Sequence, residues 1–185
     1  MPEKTVIEQC SPTLAGIKTG NLFSIKDEDT EGIVDTLREL NSVIREKGLR
    51  IVPIKKSERH MLIYMYRPDY LKHDLNDPDA INILKELGYS PDDAERCLAK
   101  LAGELNKNEG FPHEIGLFLG YPPRDVKCFM KDPDRGVQCT GYWKAYGDKE
   151  EAVKTFNRYS HCTKVYKNAY KNGRTLAELT VKRNA

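Results

Sequence analysis

Met61-Leu62-Ile63-Tyr64-Met65-Tyr66 constrains the fold more than any other stretch, because six apolar or aromatic residues follow one another with no polar alternation. A strand with one solvated face alternates; a run that does not alternate is covered on both faces and belongs at the centre of a sheet. Residues 49–54 form a second β-type run, and the charged Lys55-Lys56-Ser57-Glu58-Arg59 between the two reads as a hairpin turn. Pro53 has no backbone donor, which puts that strand at an edge or a bulge. A third strand is expected over residues 137–146. There Val137, Cys139, Gly141, Trp143 and Ala145 share one face, and Gln138, Thr140, Tyr142, Lys144 and Tyr146 share the other.

The rest of the chain has helical spacing and clear punctuation. Ser11 as N-cap with Pro12 at the first helical position predicts a helix whose Leu14, Ile17, Leu22 and Ile25 line one face. After the acidic Asp27-Glu28-Asp29, the residues Ile33, Leu37, Leu40 and Ile44 predict a second helix stopping at Gly48. Asp77 before Pro78 opens another that ends at Gly88, and Ser90 before Pro91 opens one that runs toward Gly110 with Cys97, Leu98, Leu101 and Leu105 inward. Residues 111–120 read as a short buried helix in which Gly116 lets another element approach closely, ended by Tyr121-Pro122-Pro123. Val126, Phe129 and Met130 then share one side of a further helical turn, Asp132-Pro133-Asp134-Arg135-Gly136 makes a turn, and a long helix starts at Lys149 with a break near His161. The pattern is an α+β fold: a small, mostly antiparallel sheet of about three strands packed by six to eight helices, a count taken from the segments.

With 185 residues and no Gly/Ser/Pro-rich linker, the chain is expected to form a single domain over residues 1–185. Its 30 basic and 28 acidic residues nearly cancel, which disfavours nucleic acid or a membrane surface as partner of the whole protein. The C-terminal region is locally basic, carrying Lys154, Arg158, Lys164, Lys167, Lys171, Arg174, Lys182 and Arg183 against Glu178. It is either a solvated helix face or a dock for an acidic protein partner. No apolar run reaches the roughly 20 residues of a membrane span, and the first residues lack a signal peptide's apolar stretch, so a cytoplasmic protein is expected. Five cysteines at irregular spacing argue for free thiols in a reducing compartment.

The chemical lead is Cys10. If the helix begins at Pro12, unpaired backbone N–H groups lie beside the sulfur and favour thiolate. His113 would act as proton acceptor and Glu114 as the carboxylate that orients it, making a nucleophilic Cys–His site. Adjacent helical residues do not face each other, and Pro112-His113-Glu114 is equally explained as a helix start. Thr13, Lys18 and Asn21 would line the pocket along the helix flank, with Lys18 holding an anionic group of a small molecule. A metal- or haem-associated site is an alternative, with Cys139 and Cys162 converging with Cys10 or His113, although no paired-ligand motif is present. A binding module is another: Tyr142, Lys144 and Tyr146 on an open strand face would stack on a planar molecule. No phosphate loop or dinucleotide fingerprint occurs, so nucleotide cofactors are not supported.

Four strings together resemble a known family: Cys10-Ser-Pro-Thr-Leu-Ala-Gly-Ile-Lys-Thr-Gly-Asn-Leu-Phe23, Leu62-Ile-Tyr-Met-Tyr-Arg-Pro68, Phe111-Pro-His-Glu-Ile-Gly-Leu-Phe-Leu-Gly-Tyr-Pro122 with Asp125-Val126, and Gly141-Tyr-Trp-Lys-Ala-Tyr-Gly147. The family is the bacterial domain-of-unknown-function family numbered 3793, chiefly of anaerobic clostridia, and the likeness spans nearly the whole chain. It implies no activity. Cys10, His113 and Glu114 fall within the matching strings, whereas Cys97 does not, and Cys128 stands where the family pattern has glycine. An anaerobic setting suits thiol, flavin or iron chemistry. The function expected from the sequence is a thiol-dependent small-molecule enzyme or binder centred on Cys10.

Overall fold

Val6, Ile7, Cys10 and Leu14 recur at helical spacing, and the chain folds there into α1 (Pro2–Leu14). The structure is a computed structural model that describes residues 2–26, 30–57, 60–107 and 110–182. Asp27-Glu28-Asp29, the hairpin residues Glu58 and Arg59, and Arg183 lie outside the described residues. The helix expected to start at Pro12 therefore starts upstream, and Pro12 sits inside it. A proline within a helix costs about 3 kcal/mol; four apolar side chains buried on one face offset that cost, since each contributes roughly 1.5–3 kcal/mol. Ser11 is not the cap, because its hydroxyl donates to the Ile7 carbonyl of the same helix. Gly16, with φ of 72°, ends the turn that follows, and Leu22 and Ile25, expected on a helix, lie on strand β1 (Gly20–Lys26).

Next come α2 (Thr30–Ile44), a 3-10 turn over residues 45–47, β2 (Arg50–Lys56) and β3 (His60–Tyr66). Gly48 takes the left-handed conformation expected at the helix stop, with φ of 79°. The sheet is antiparallel in the order β1-β3-β2, so the unalternating run is the central strand. Phe23 faces Ile63 across one ladder and Ile51 faces Met65 across the other. The register slips between Pro53 and Lys55, so Pro53 stands both on an edge strand and at a bulge. Asn41 of α2 closes part of that edge: its amide donates to the Ile51 carbonyl at 2.6 Å and accepts the Ile51 N–H at 3.0 Å, as a neighbouring strand would.

Contacts group the chain into two compact units, one of residues Met1–Tyr70 with His161–Ala185 and one of residues Leu71–Ser160. In the first, Met61, Ile63 and Met65 of β3 pack with Val6, Ile7, Cys10, Leu14, Leu37, Leu40 and Ile44 in one core. Buried Arg67 ties that unit together. Its Nε donates to the Thr13 carbonyl at 2.8 Å, and its Nη2 donates to those of Leu14 at 2.9 Å and Val181 at 2.8 Å. Thr13 and Leu14 are the last two residues of α1, so the guanidinium satisfies carbonyls that a helix end leaves open, and its bond to Val181 ties the C-terminal segment to them. Lys47 adds to this by donating to the carbonyls of Ala177 and Thr180. Both belong to the stretch around the short helix α9 (Leu176–Leu179), which Thr175 and Glu178 close with a capping box.

The second unit is built of helices and one small hairpin. It holds the end of α3 (Pro68–Leu75), then α4 (Pro78–Glu86), α5 (Ala94–Lys107), α6 (Ile115–Phe118), α7 (Pro123–Lys131), β4 (Cys139–Thr140), β5 (Lys144–Ala145) and the start of α8 (Lys149–Lys171). Asp77 caps α4 as expected, accepting from the Asp79 and Ala80 amides. The cap of α5 is Asp93 rather than Ser90: its carboxylate accepts from the Glu95 and Arg96 amides at 3.0 and 3.1 Å, where its charge also suits the helix dipole. The long strand expected over residues 137–146 is two short strands instead. Gly141 N–H bonds the Trp143 carbonyl at 3.0 Å and turns the chain back on itself. No break occurs in α8 near His161. Nine α-helices are present among the described residues, one more than the upper expectation, and the architecture is α+β.

Candidate ligand pocket

Gly116 of α6 is where the second unit's pocket begins. A methyl group there would lie 2.8 Å from Val126 Cγ2, so only glycine lets α6 and α7 approach this closely. Beside that contact opens a cavity of about 400 Å³, walled by Phe111, Ile115, Tyr121, Val126, Phe129 and Trp143. The aromatic rings come from three separated stretches of chain. Tyr121 stacks on Trp143 with centroids 5.0 Å apart and planes 28° from parallel, and Phe156 meets Trp143 edge-on at 4.6 Å. Phe111, which also lines the cavity, is 55 % exposed.

Asp125 fixes the wall. This buried carboxylate accepts the Trp143 indole N–H on Oδ2 at 2.8 Å, and the Tyr146 and Gly147 amides on Oδ1 at 2.9 and 3.0 Å. Three donors converge on one acid, so the Asp125 side chain is a strut that orients the indole. Two other polar groups line the cavity, His113 and Lys144, and both meet the Phe129 ring. His113 meets it edge-on at 5.1 Å, and the Lys144 ammonium lies 5.9 Å from its centroid. Lys144 donates to Asp134 Oδ1 at 2.9 Å and to the Pro133 carbonyl at 3.1 Å. The Asp134 hydrogen bond raises its pKa and keeps it charged.

The residues singled out from the sequence divide between the units. His113 and Lys144 line the cavity. Glu114, next to His113 in sequence, turns into the protein and accepts the Tyr89 hydroxyl at 2.8 Å. Tyr142 stands outside the cavity wall, 38 % exposed, against Phe156 and Tyr159. Cys10, Thr13, Lys18 and Asn21 all belong to the first unit. Thr13 donates to Asn21 Oδ1 at 2.7 Å, and Lys18 donates to the Gly20 carbonyl.

The premise for Cys10 is corrected by the fold. Its sulfur lies toward the C-terminal end of α1, far along the helix from the free amides at its start, and the residue is fully buried in the apolar core. Burial pushes the thiol well above its usual range, and nearby Lys18 lowers it by less. Lys18 itself, 3 % exposed, is brought down to about 7 by burial, with Cys10 acting weakly in the opposite sense. The pair therefore favours the neutral thiol, the unreactive form. Among the described residues no group of three His, Cys, Asp or Glu side chains is placed to hold a metal ion.

Phe111, Tyr121, Asp125, Phe129 and Trp143 were not singled out as site residues by the sequence. The sequence pattern explains them as helix, turn and strand residues, and only folding brings the separate stretches to one cavity. The one available signal was the aromatic density around Pro112, Pro122 and Trp143, in segments punctuated by proline and glycine.

No curated protein and no solved structure matches the chain. A family profile described as "Protein of unknown function (DUF3793)" matches residues 6–180, and it is to this family that the chain belongs.

Proposed function

We propose that this protein binds a flat, largely apolar small molecule in the cavity of the second unit. The observation that carries the reading is the cavity of about 400 Å³ with Phe111, Phe129 and Trp143 on its walls and Lys144 at its edge. A volume of this size, mostly apolar with few polar groups, suits a ligand of two or three fused or linked rings. Aromatic walls add stacking energy to area burial. The Asp125 strut supports the same reading, since an indole held by its N–H presents a fixed face at little ordering cost when a ligand arrives.

The chain has one tryptophan, so its emission reports on this pocket alone. Titration with phenylnaphthylamine, a neutral fluorescent probe, is expected to quench Trp143 at one equivalent with a dissociation constant on the order of 10–100 μM. Phe111→Ala and Phe129→Ala are each expected to weaken it about tenfold. Unchanged Trp143 emission, or a titration indifferent to both substitutions, overturns the reading.

A further inference from the structure

Resting on that pocket, we propose that its ligand is an acid and that Asp134 holds the place of the ligand's acidic group on Lys144, setting affinity for acids by competition. Lys144 is the cation of the cavity wall, and its ammonium stands over the ring of Phe129, on which the ligand's own rings would stack. Its side chain is 33 % exposed, while that of its counter-ion Asp134 is 88 % exposed. An ion pair with one partner so fully in water is held weakly, and an acid seated in the cavity exchanges readily for it.

The loop bearing Asp134 is anchored without that carboxylate. Tyr146 hydroxyl donates to the Pro133 carbonyl at 2.8 Å, Lys144 donates to the same carbonyl, and Asp132 Oδ1 accepts the Asp134 amide at 3.2 Å. The Asp134 side chain can therefore leave Lys144 while the turn stays closed. Asp125, which lines the cavity itself, cannot take the ligand's place in this way, because its oxygens are engaged by an indole and two backbone amides. His113, which also lines the cavity and meets the Phe129 ring edge-on, is a second polar side chain on the wall with a ring nitrogen able to donate.

Two probes with the same ring system separate charge from shape: anilinonaphthalene sulfonate, which carries an acid, and phenylnaphthylamine, which does not. In the full-length protein, Asp134→Asn is expected to tighten the sulfonate probe about fivefold and to leave the neutral probe within about twofold. Lys144→Met is expected to weaken the sulfonate probe about tenfold, at least about fivefold more than it changes the neutral one, and in the double variant the gain from Asp134→Asn disappears. Equal shifts for both probes, or no shift from Asp134→Asn, overturn the competition while the neutral probe's binding leaves the pocket standing. Failure of both probes to bind the unaltered protein overturns pocket and competition together.

Discussion

The two units put their polar side chains to different uses. In the first, Arg67, Lys47, Asn41 and Lys18 all bond backbone carbonyls. In the second, Asp125 orients an indole at a cavity edge, and His113 and Lys144 reach the same opening. A buried, satisfied polar network rigidifies and specifies a core, whereas a cavity with uncovered rings and few polar groups is suited to a guest. The sulfur that looked most chemical in the sequence sits in the first kind of environment.

The comparison breaks soonest at Arg67. Arg67→Met leaves the buried Thr13 and Leu14 carbonyls and the part-buried Val181 carbonyl without their charged donor and is expected to cost about 3–5 kcal/mol in urea unfolding, since bonds to charged groups are the stronger ones. A loss under about 1 kcal/mol would show that the first unit does not depend on this clamp.

Lys18 gives the next largest effect. In the folded protein it releases its proton near pH 7, whereas the unfolded chain keeps it to about 10.5. Between those values the unfolded state binds more protons, so stability rises with pH. The buried Cys10 acts in the opposite direction above about pH 9, where the unfolded thiol ionises and the folded one does not. The window to measure is therefore pH 7–9, where unfolding free energy is expected to rise on the order of 2 kcal/mol. Lys18→Met is expected to abolish the slope, and a wild-type profile that is flat or falling there contradicts the buried pair.

In the second unit, Asp125→Asn replaces at least one acceptor by a donor facing the indole or two backbone amides. A stability loss of about 2 kcal/mol is expected, together with a red shift of Trp143 emission as the ring loosens. The smallest effect sharpens the contrast most: Phe111→Ala is expected to change stability by less than about 0.5 kcal/mol, because the ring is largely exposed, while weakening the neutral probe. A ring that matters to binding and not to folding is the signature of a site.

Much of the fold was legible because it is local. The unalternating residues 61–66 became the central strand, Pro53 fell at a bulged edge, Asp77 capped α4, and Gly116 marked a close approach. The start of α1 was misread because Ser11-Pro12 satisfies a local rule for a helix start, and that rule was outweighed by Val6, Ile7, Cys10 and Leu14 packing against the sheet. The strand expected over 137–146 failed similarly. Its alternation is real, yet a Cβ at Gly141 would lie 2.3 Å from Phe156, and that close approach accompanies a tight turn.

The class of fold, the central strand and several helix ends, such as the start of α4 and the stop at Gly48, follow from local sequence alone, since hydrophobic period and capping act between residues close along the chain. Only the tertiary structure decided the chemistry. Whether Cys10 ionises depends on how many apolar groups surround it, and whether Phe111, Phe129 and Trp143 make a pocket depends on distant stretches meeting. Both are properties of the assembled interior, where local dielectric and shape are set by neighbours far away in sequence.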